Sequence, residues 1–547
     1  MTDSLAQFRP PFEPVPEVRG NGGMAATSHP KATEVAIAIL KAGGSAVDAA
    51  IAANAMLGLC EPTGCGLGGD LFAIVWDRGE LHGINGSGRS PAGLLPEEFS
   101  RRNLEIVPTR GPLSVTVPGC VDGWAELHKR FGALPWAQIF EPVIESARAG
   151  ILVPPVIASG WVKGAEDLKD FPGFKDVFMP DGDAPIAGST FKNAALADTL
   201  EQIAAQGRDA FYSGDIAKKL VSFLSANGCF IDLKDLSHHQ SDWIEPVSTD
   251  YRGYTVWELP PNGQGIAVLQ MLNLIEPHNV SAMGVGSTDW IHLLVEVKKI
   301  VYSDMACWYA DTSFESVPVD SLISKSYARA RSSLFDPRRA ALNVTPGDPR
   351  LTNADTVCLS VADRRGQMVS LIQSNYAGLG SGLAVPELGF GLQNRGCGFD
   401  LHPGRPNSYA PGKRPFHTII PAFVTRNGDP YMSFGLMGGP MQPQGHVQIL
   451  VNLIDFGMGI QEAGDALRIC HVGSSDPTGQ VMSDGGEVWL EHGHSDAVKQ
   501  GLKERGHKVG ERDGPFGGYQ AIGREVSGGG YTGASERRKD GFAAAVT

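Results

Sequence analysis

Apolar residues near the N-terminus fall into two dense helical blocks. His29-Pro30 opens a helix that runs to Lys41, and Gly43-Gly44 closes it. Ser45 is placed to cap a second helix, in which Val47, Ile51, Ala55 and Leu59 recur every fourth residue. Both blocks are rich in alanine, which predicts close packing and burial. A strand at residues 71–76 follows, with Asp77-Arg78-Gly79 as its turn. The middle of the chain reads as mostly helical, at residues 124–130, 136–149, 194–206, 216–227 and 290–308. The pattern then changes. Residues 343–355 are polar, with two prolines and a glycine, and predict an exposed loop. Residues 356–362 and 368–374 read as two strands joined by the turn at 363–366. A further strand at 431–436 runs into Gly438-Gly439. After it comes a helix with Val447, Leu450, Val451 and Ile454 on one face. Hairpins of this kind favour antiparallel sheets over βαβ units.

Composition narrows the class. The chain has 547 residues, 42% hydrophobic and 19% charged, which suits a globular protein with a large core. A formal net charge of −14 speaks against a nucleic-acid partner or an anionic membrane surface. The longest apolar stretch, 35–60, is interrupted by Lys41, Gly43, Gly44 and Asp48, so no membrane span is expected. The first residues carry four prolines by position 22 and predict an extended arm without a secretory signal. Eight cysteines without a CxxC pair read as free or buried thiols of a reducing, cytoplasmic compartment.

Several motifs point away from particular chemistries. Gly64-Cys-Gly66-Leu-Gly68-Gly69 matches GxGxxG, but a helix precedes it and a strand follows. That is the reverse of a dinucleotide fingerprint, so a tight turn is expected. There is no P-loop and no GxSxG elbow. His238-His239 and His492-Gly-His494 lack a carboxylate partner at helical spacing and read as solvated loop histidines rather than metal ligands. No metal or organic cofactor is expected. Thr356, at the junction of the polar loop and a strand, is the residue left with unexplained surroundings.

Taken in order, a series of motifs resembles the gamma-glutamyltransferase family of N-terminal-nucleophile hydrolases. They are Gly23-Met-Ala-Ala-Thr-Ser-His-Pro, Gly43-Gly-Ser-Ala-Val-Asp-Ala-Ala, Glu61-Pro-Thr-Gly-Cys-Gly-Leu-Gly-Gly, Ser114-Val-Thr-Val-Pro-Gly, Phe131-Gly-Ala-Leu-Pro-Trp, Pro260-Pro-Asn-Gly-Gln-Gly, Thr356-Val-Cys-Leu-Ser-Val, Lys413-Arg-Pro and Met437-Gly-Gly. The resemblance implies an α+β fold, a four-layer αββα sandwich with a large helical portion. It also implies a proenzyme that cuts itself between Asp355 and Thr356. The products would be a large subunit, 23–355 behind the 1–22 arm, and a small one, 356–547, which stay together as one composite domain, with a dimer of such pairs as a further option. Thr356 would then be nucleophile and, through its new α-amine, base. Gly438 and Gly439 would supply the oxyanion hole, and Ser374 would orient the nucleophile.

The glutamyl pocket departs from the family pattern. The slot for the carboxylate-binding Arg holds Ser87, with Arg89 two residues away. The slot for the acid that meets the ammonium holds Gly398, and the paired serines are His417-Thr418. Leu371-Ile-Gln-Ser-Asn-Tyr, Gln393-Asn-Arg-Gly and His417-Thr-Ile-Ile-Pro resemble the branch that includes oxamate amidohydrolases. Arg89, Gln373, Arg395, His417 and Thr418 are therefore the candidate substrate contacts for a small acid amide. Two alternatives stand beside this expectation: a glutathione hydrolase or γ-glutamyltransferase with an altered pocket, and an unprocessed homologue that only binds a ligand.

Overall fold

The computed structural model describes residues 15–345, 355–514, 516–525, 529–536 and 538–546. Most of the expected N-terminal arm, the end of the polar loop before Asp355, and the side chains of Asp355 and Thr356 lie outside the described residues.

Fourteen strands build two facing sheets. In chain order they are β1 (Val18–Gly20), β2 (Gly23–Thr27), β3 (Asp70–Asp77), β4 (Glu80–Gly86), β5 (Asp242–Ile244), β6 (Val247–Tyr251), β7 (Tyr254–Glu258), β8 (Asp355–Asp363), β9 (Met368–Tyr376), β10 (Ala422–Arg426), β11 (Asp429–Leu436), β12 (Tyr519–Arg524), β13 (Tyr531–Ser535) and β14 (Phe542–Ala545). One sheet runs β14-β2-β8-β9-β3-β4-β5 and the other β1-β13-β12-β11-β10-β7-β6. Every pairing within them is antiparallel, as the hairpin pattern predicts. Both sheets contain strands from before and from after position 356, hydrogen-bonded side by side, so the two halves of the chain share one sandwich.

Helices cover the outer faces. On the first sheet lie α1 (Pro30–Lys41) and α2 (Ala46–Cys60). Pro30 suits the first turn of α1, and His29 Nδ1 accepts from Lys31 N to cap it. Ser45 caps α2 as expected, and Asp48 completes a reciprocal capping box. Asp48 is thus a helix-start signal as well as an interruption of the apolar run. Its Oδ2 also accepts from Ala133 N and Leu134 N, which tie the fully buried carboxylate to the 133–134 turn. The expected helices Trp136–Ala149 and Ala194–Gln206 pack on each other, and the first also packs on α2. The second sheet is covered by α3 (Ile266–Ile275) and α5 (Met441–Ile454), with α4 (Thr288–Trp308) packed on α3. Between the sheets lies an apolar layer of Met24, Phe72, Ile74, Cys358, Ile372, Phe423, Met437 and Ile522. The result is the αββα sandwich.

Seven of the eight cysteines are buried free thiols, and Cys307 is half-buried. Among the described residues, no helix is long and apolar enough to cross a membrane. One expectation is corrected. His239 is buried, stacked on Tyr212, and His494 is buried against Arg468 O, so only His238 and His492 of the two pairs are exposed. The polar loop context hid this burial, because it is created by helices distant in sequence.

Candidate active site

Thr356 sits at the start of β8, where the ladder to β9 is irregular. Asp355 pairs with Tyr376 and Val357 pairs with Gln373, so Thr356 faces two residues, Ser374 and Asn375. This bulge re-aims the strand end. Tyr376 takes a φ of +77°, rare for a bulky side chain, and its N–H donates to Ser374 Oγ at 2.8 Å. Across the sandwich, β8 descends along β11. Ser360 Oγ donates to Ser433 O, and a side chain at Gly435 would collide with Cys358 Sγ. β11 ends at Leu436, and Met437-Gly438-Gly439 follow it.

Gly438 (φ +109°) and Gly439 (φ +55°) link β11 to α5 in backbone conformations that favour glycine. Their carbonyls are turned into the helix start, where Gly438 O accepts from Met441 N and Gly439 O from Gln442 N, each at 3.0 Å. Among the described residues, neither glycine N–H donates to a backbone carbonyl outside regular elements. Two outward N–H groups at a helix N-terminus suit an anion or a developing oxyanion.

The Gly64–Gly69 turn closes the other side. It is a tight helix-to-strand turn, as expected: a side chain at Gly69 would come within 2.6 Å of Ser374 O, and one at Gly68 would strike Gly391 O. Gln373 serves this turn. Its Oε1 accepts from Gly66 N and Asn54 Nδ2, each at 3.2 Å, and its Nε2 donates to Gly66 O. Gln373, expected as a substrate contact, is placed here as an anchor of the turn.

Arg395 and Thr418 come together next to Tyr376. The guanidinium is fully buried, 4.0 Å over the Tyr376 ring, and Nη1 donates to Thr418 Oγ1 at 2.9 Å. Its Nε and Nη2 have no hydrogen-bond partner among the described residues. Those two atoms form one edge of the guanidinium, the edge that grips a carboxylate in bidentate fashion. Burial pushes its pKa down to about 10, partly countered by Tyr376 and Asp70, so it remains a cation at neutral pH.

His417 is close by but turned to a different task. Ile419 N donates to its Nδ1, so the proton is on Nε2, which donates to Asp70 Oδ2 at 2.9 Å. Burial pushes this histidine down to about 3, so it is neutral. Asp70 Oδ1 accepts from Gly88 N at 2.8 Å and Gln393 Nε2 at 3.0 Å. Asp70 thus ties the turn at the head of β3 to the Arg395 and His417 segments. Sequence reasoning missed it; an acid opening a strand after a glycine turn was the available signal. His417, expected as a substrate contact, has both ring nitrogens engaged within the protein.

Arg89, the other arginine expected at the substrate, lies among carboxylates. It is ion-paired with Asp311 at 3.5 Å and Asp242 at 3.7 Å. Beside Ser87 lies a different cation, Arg414, whose Nη1 is 3.2 Å from Asn85 Oδ1 and 3.5 Å from Ser87 Oγ; Asp242 balances it at 2.9 Å. Both arginines are already neutralised, so Arg395 is left as the candidate clamp.

One group could offer ligands to a metal: His292 and Glu296 of α4 with His507, whose ligand atoms lie within 4.8 Å of one another. His292 Nδ1 and His507 Nε2 hydrogen-bond at 2.7 Å, and Lys299 Nζ pairs with Glu296 Oε1 at 2.7 Å. The ammonium already supplies the positive charge there.

Two facing antiparallel sheets covered by helices on both outer faces, with a threonine at a bulged strand end, have the architecture of an N-terminal-nucleophile hydrolase. Known proteins agree. The model of the gamma-glutamyltranspeptidase family matches residues 32–546. A cephalosporin acylase from Bacillus halodurans superposes with a TM-score of 0.90 at 40% identity, over 98% of this chain and 99% of that one. A glutathione hydrolase-like YwrD proenzyme of Bacillus subtilis is 34% identical over 97% of this chain and 99% of its own. An oxamate amidohydrolase proenzyme of Klebsiella pneumoniae is 34% identical over 81% of this chain and 83% of its own. The chain belongs to the gamma-glutamyltranspeptidase family and is a proenzyme amidohydrolase or acylase that acts on carbon–nitrogen bonds.

Proposed function

We propose that the processed enzyme hydrolyses the amide bond of a small acid amide, oxamate-like, whose acyl part carries a carboxylate and no ammonium. The observation that carries this reading is the unbonded Nε/Nη2 edge of buried Arg395. A buried cation with idle donors is costly unless a ligand completes it. No carboxylate stands at Gly398 to meet an ammonium, and the carbonyl of that residue is taken by Asn407 Nδ2. The names borne by two relatives, an oxamate amidohydrolase and a cephalosporin acylase, support acyl groups other than γ-glutamyl.

In this reading, autocleavage before Thr356 divides the chain into 1–355 and 356–547. The Thr356 hydroxyl passes its proton to its own α-amine and attacks the amide carbon. The oxyanion is held by the N–H groups of Gly438 and Gly439, and Ser374 orients the nucleophile. Collapse expels the amine with that proton, leaving an ester on Thr356. Water then attacks the ester, again with the α-amine as base, and the acid departs. Arg395, with Thr418 behind it, holds the acyl carboxylate throughout. The free thiols suit a reducing compartment such as the cytoplasm.

The test is a panel of oxamate, ω-carboxyacyl amides, glutathione and neutral acyl amides on the processed enzyme. Ammonium-free acid amides should lead by roughly two orders of magnitude in kcat/KM, since an unpartnered buried charge costs several kcal/mol. Glutathione outpacing every one of them would replace this reading with that of a glutathione hydrolase.

A further inference from the structure

The stretch Pro260-Pro-Asn-Gly-Gln-Gly joins β7 to α3 and passes under the site. It is pinned on both flanks. Asn262 Nδ2 donates to Pro415 O at 2.8 Å, His417 N donates to Asn262 O at 2.9 Å, and Asn85 Nδ2 donates to Asn262 Oδ1 at 2.8 Å. Gly263 bridges to His417. From this strap the fully buried Gln264 reaches two places at once. Its Nε2 donates to Thr418 O at 2.6 Å and to Gly439 O at 2.8 Å. Thr418 carries Arg395 on its hydroxyl, and Gly439 carries one of the two outward N–H groups. A single amide nitrogen therefore links the carboxylate clamp to the oxyanion turn.

The turn has a second, separate support. Tyr302 of α4 donates its hydroxyl to Pro440 O at 2.5 Å, and Gln444 Nε2 donates to the same oxygen at 3.3 Å. Tyr302 thus steadies the turn without touching the clamp. Gln264 alone among the described residues bonds to both.

We infer that Gln264 is a positioning residue that sets the distance between the oxyanion turn and the Arg395–Thr418 clamp, and so selects the length of the acyl chain. This rests on the proposed carboxylate-bearing acyl group. An acyl carbonyl and an acyl carboxylate bound at two points joined by one rigid link must have one separation. Looseness on the order of 1 Å in such positioning costs about 100-fold in rate.

The experiment uses p-nitroanilides of oxalic, malonic, succinic and glutaric acids, each as the monoanilide, with acetyl p-nitroanilide as the neutral reference. Initial rates would be measured on processed wild type and on Gln264→Asn, Gln264→Glu and Tyr302→Phe, with melting temperature and processed fraction recorded for each. The wild type should show one preferred length. Gln264→Asn, which keeps the amide but shortens its reach, and Gln264→Glu, which loses the donor, should lower kcat at that length by roughly 10–100-fold and flatten or move the preference. Tyr302→Phe should lower kcat while keeping the preferred length. Should Gln264→Glu fail to process, Gln264→Asn alone decides. A wild-type optimum that survives unchanged in the processed Gln264 variants overturns the inference. A wild type no faster on any carboxyacyl anilide than on the acetyl one overturns the proposed substrate class itself, and the inference with it.

Discussion

At the scale of single residues, the decisive contrast is between Arg89 and Arg414, which pair with carboxylates, and Arg395, which among the described residues does not. Arg89 and Arg414 are each matched by carboxylates, whereas Arg395 keeps a free bidentate edge in a buried setting. None of this was legible in the sequence. Arg89, Arg395, Gln373 and His417 are equally plausible as residue types, and only long-range burial assigns Gln373 to the glycine turn and His417 to Asp70. Arg395→Ala should raise KM for an acid amide by roughly 10–100-fold, the worth of a charge-assisted hydrogen-bonded pair. It should leave a neutral acyl amide nearly unchanged, and steady-state kinetics on both substrates checks this. The proton balance belongs to the same scale. His417 is held neutral down to about 3, so it adds no inflection near neutrality. Activity in kcat/KM should instead rise with pH through one step as the Thr356 α-amine, with a reference pKa of about 7.7–8.0, loses its proton. A profile flat from pH 5 to 9 would contradict that amine as base.

At the scale of elements, the parts fixed by backbone geometry were readable. Gly438-Gly439 after a strand, Ser45 before an alanine-rich helix, and the 363–366 turn after the Thr356 strand are demands of local conformation, and the structure meets each of them. Gly438 has a φ of +109°, and a side chain there would press on Met441 Cβ at 3.2 Å. Gly438→Ala should therefore misdirect the outward N–H and lower kcat by about 100–1,000-fold, as loss of one oxyanion donor does. Rapid-quench kinetics would show the loss in the acylation step. The cap of α1 gives a pH test. His29 Nδ1 accepts from Lys31 N, and burial lowers this histidine to about 4 from 6.5. Its folded pKa lies below the unfolded one, so the stability tied to its neutral form is complete above pH 6.5 and lost as pH falls toward 4. Asparagine also caps helices but takes up no proton. From pH 7.5 to pH 5, His29→Asn should gain on the wild type by about 2 kcal/mol. Denaturant titrations at both pH values would show it, and an equal difference at both would refute it.

At the scale of the whole molecule, the two halves of the chain are woven together. Strands β8 and β9 lie between β2 and β3, and β10 lies beside β7. Cleavage before Thr356 therefore severs only Asp355, the first residue of β8, from its strand and leaves the remaining pairings of both sheets in place. The fragments should co-elute in gel filtration and part only in denaturant. The overall architecture was legible because ordered motifs spanned nearly the whole chain. The contacts that make the site were not, since they join residues hundreds of positions apart, as His417 and Asp70 do. The most direct measurement is the N-terminal sequence and intact mass of the smaller chain from freshly purified protein. The account predicts a fragment that begins at Thr356 with a free amine, absent in Thr356→Ala, which should remain one inactive chain. A smaller chain starting at any other residue, or a single uncut chain that turns over amides, would contradict it.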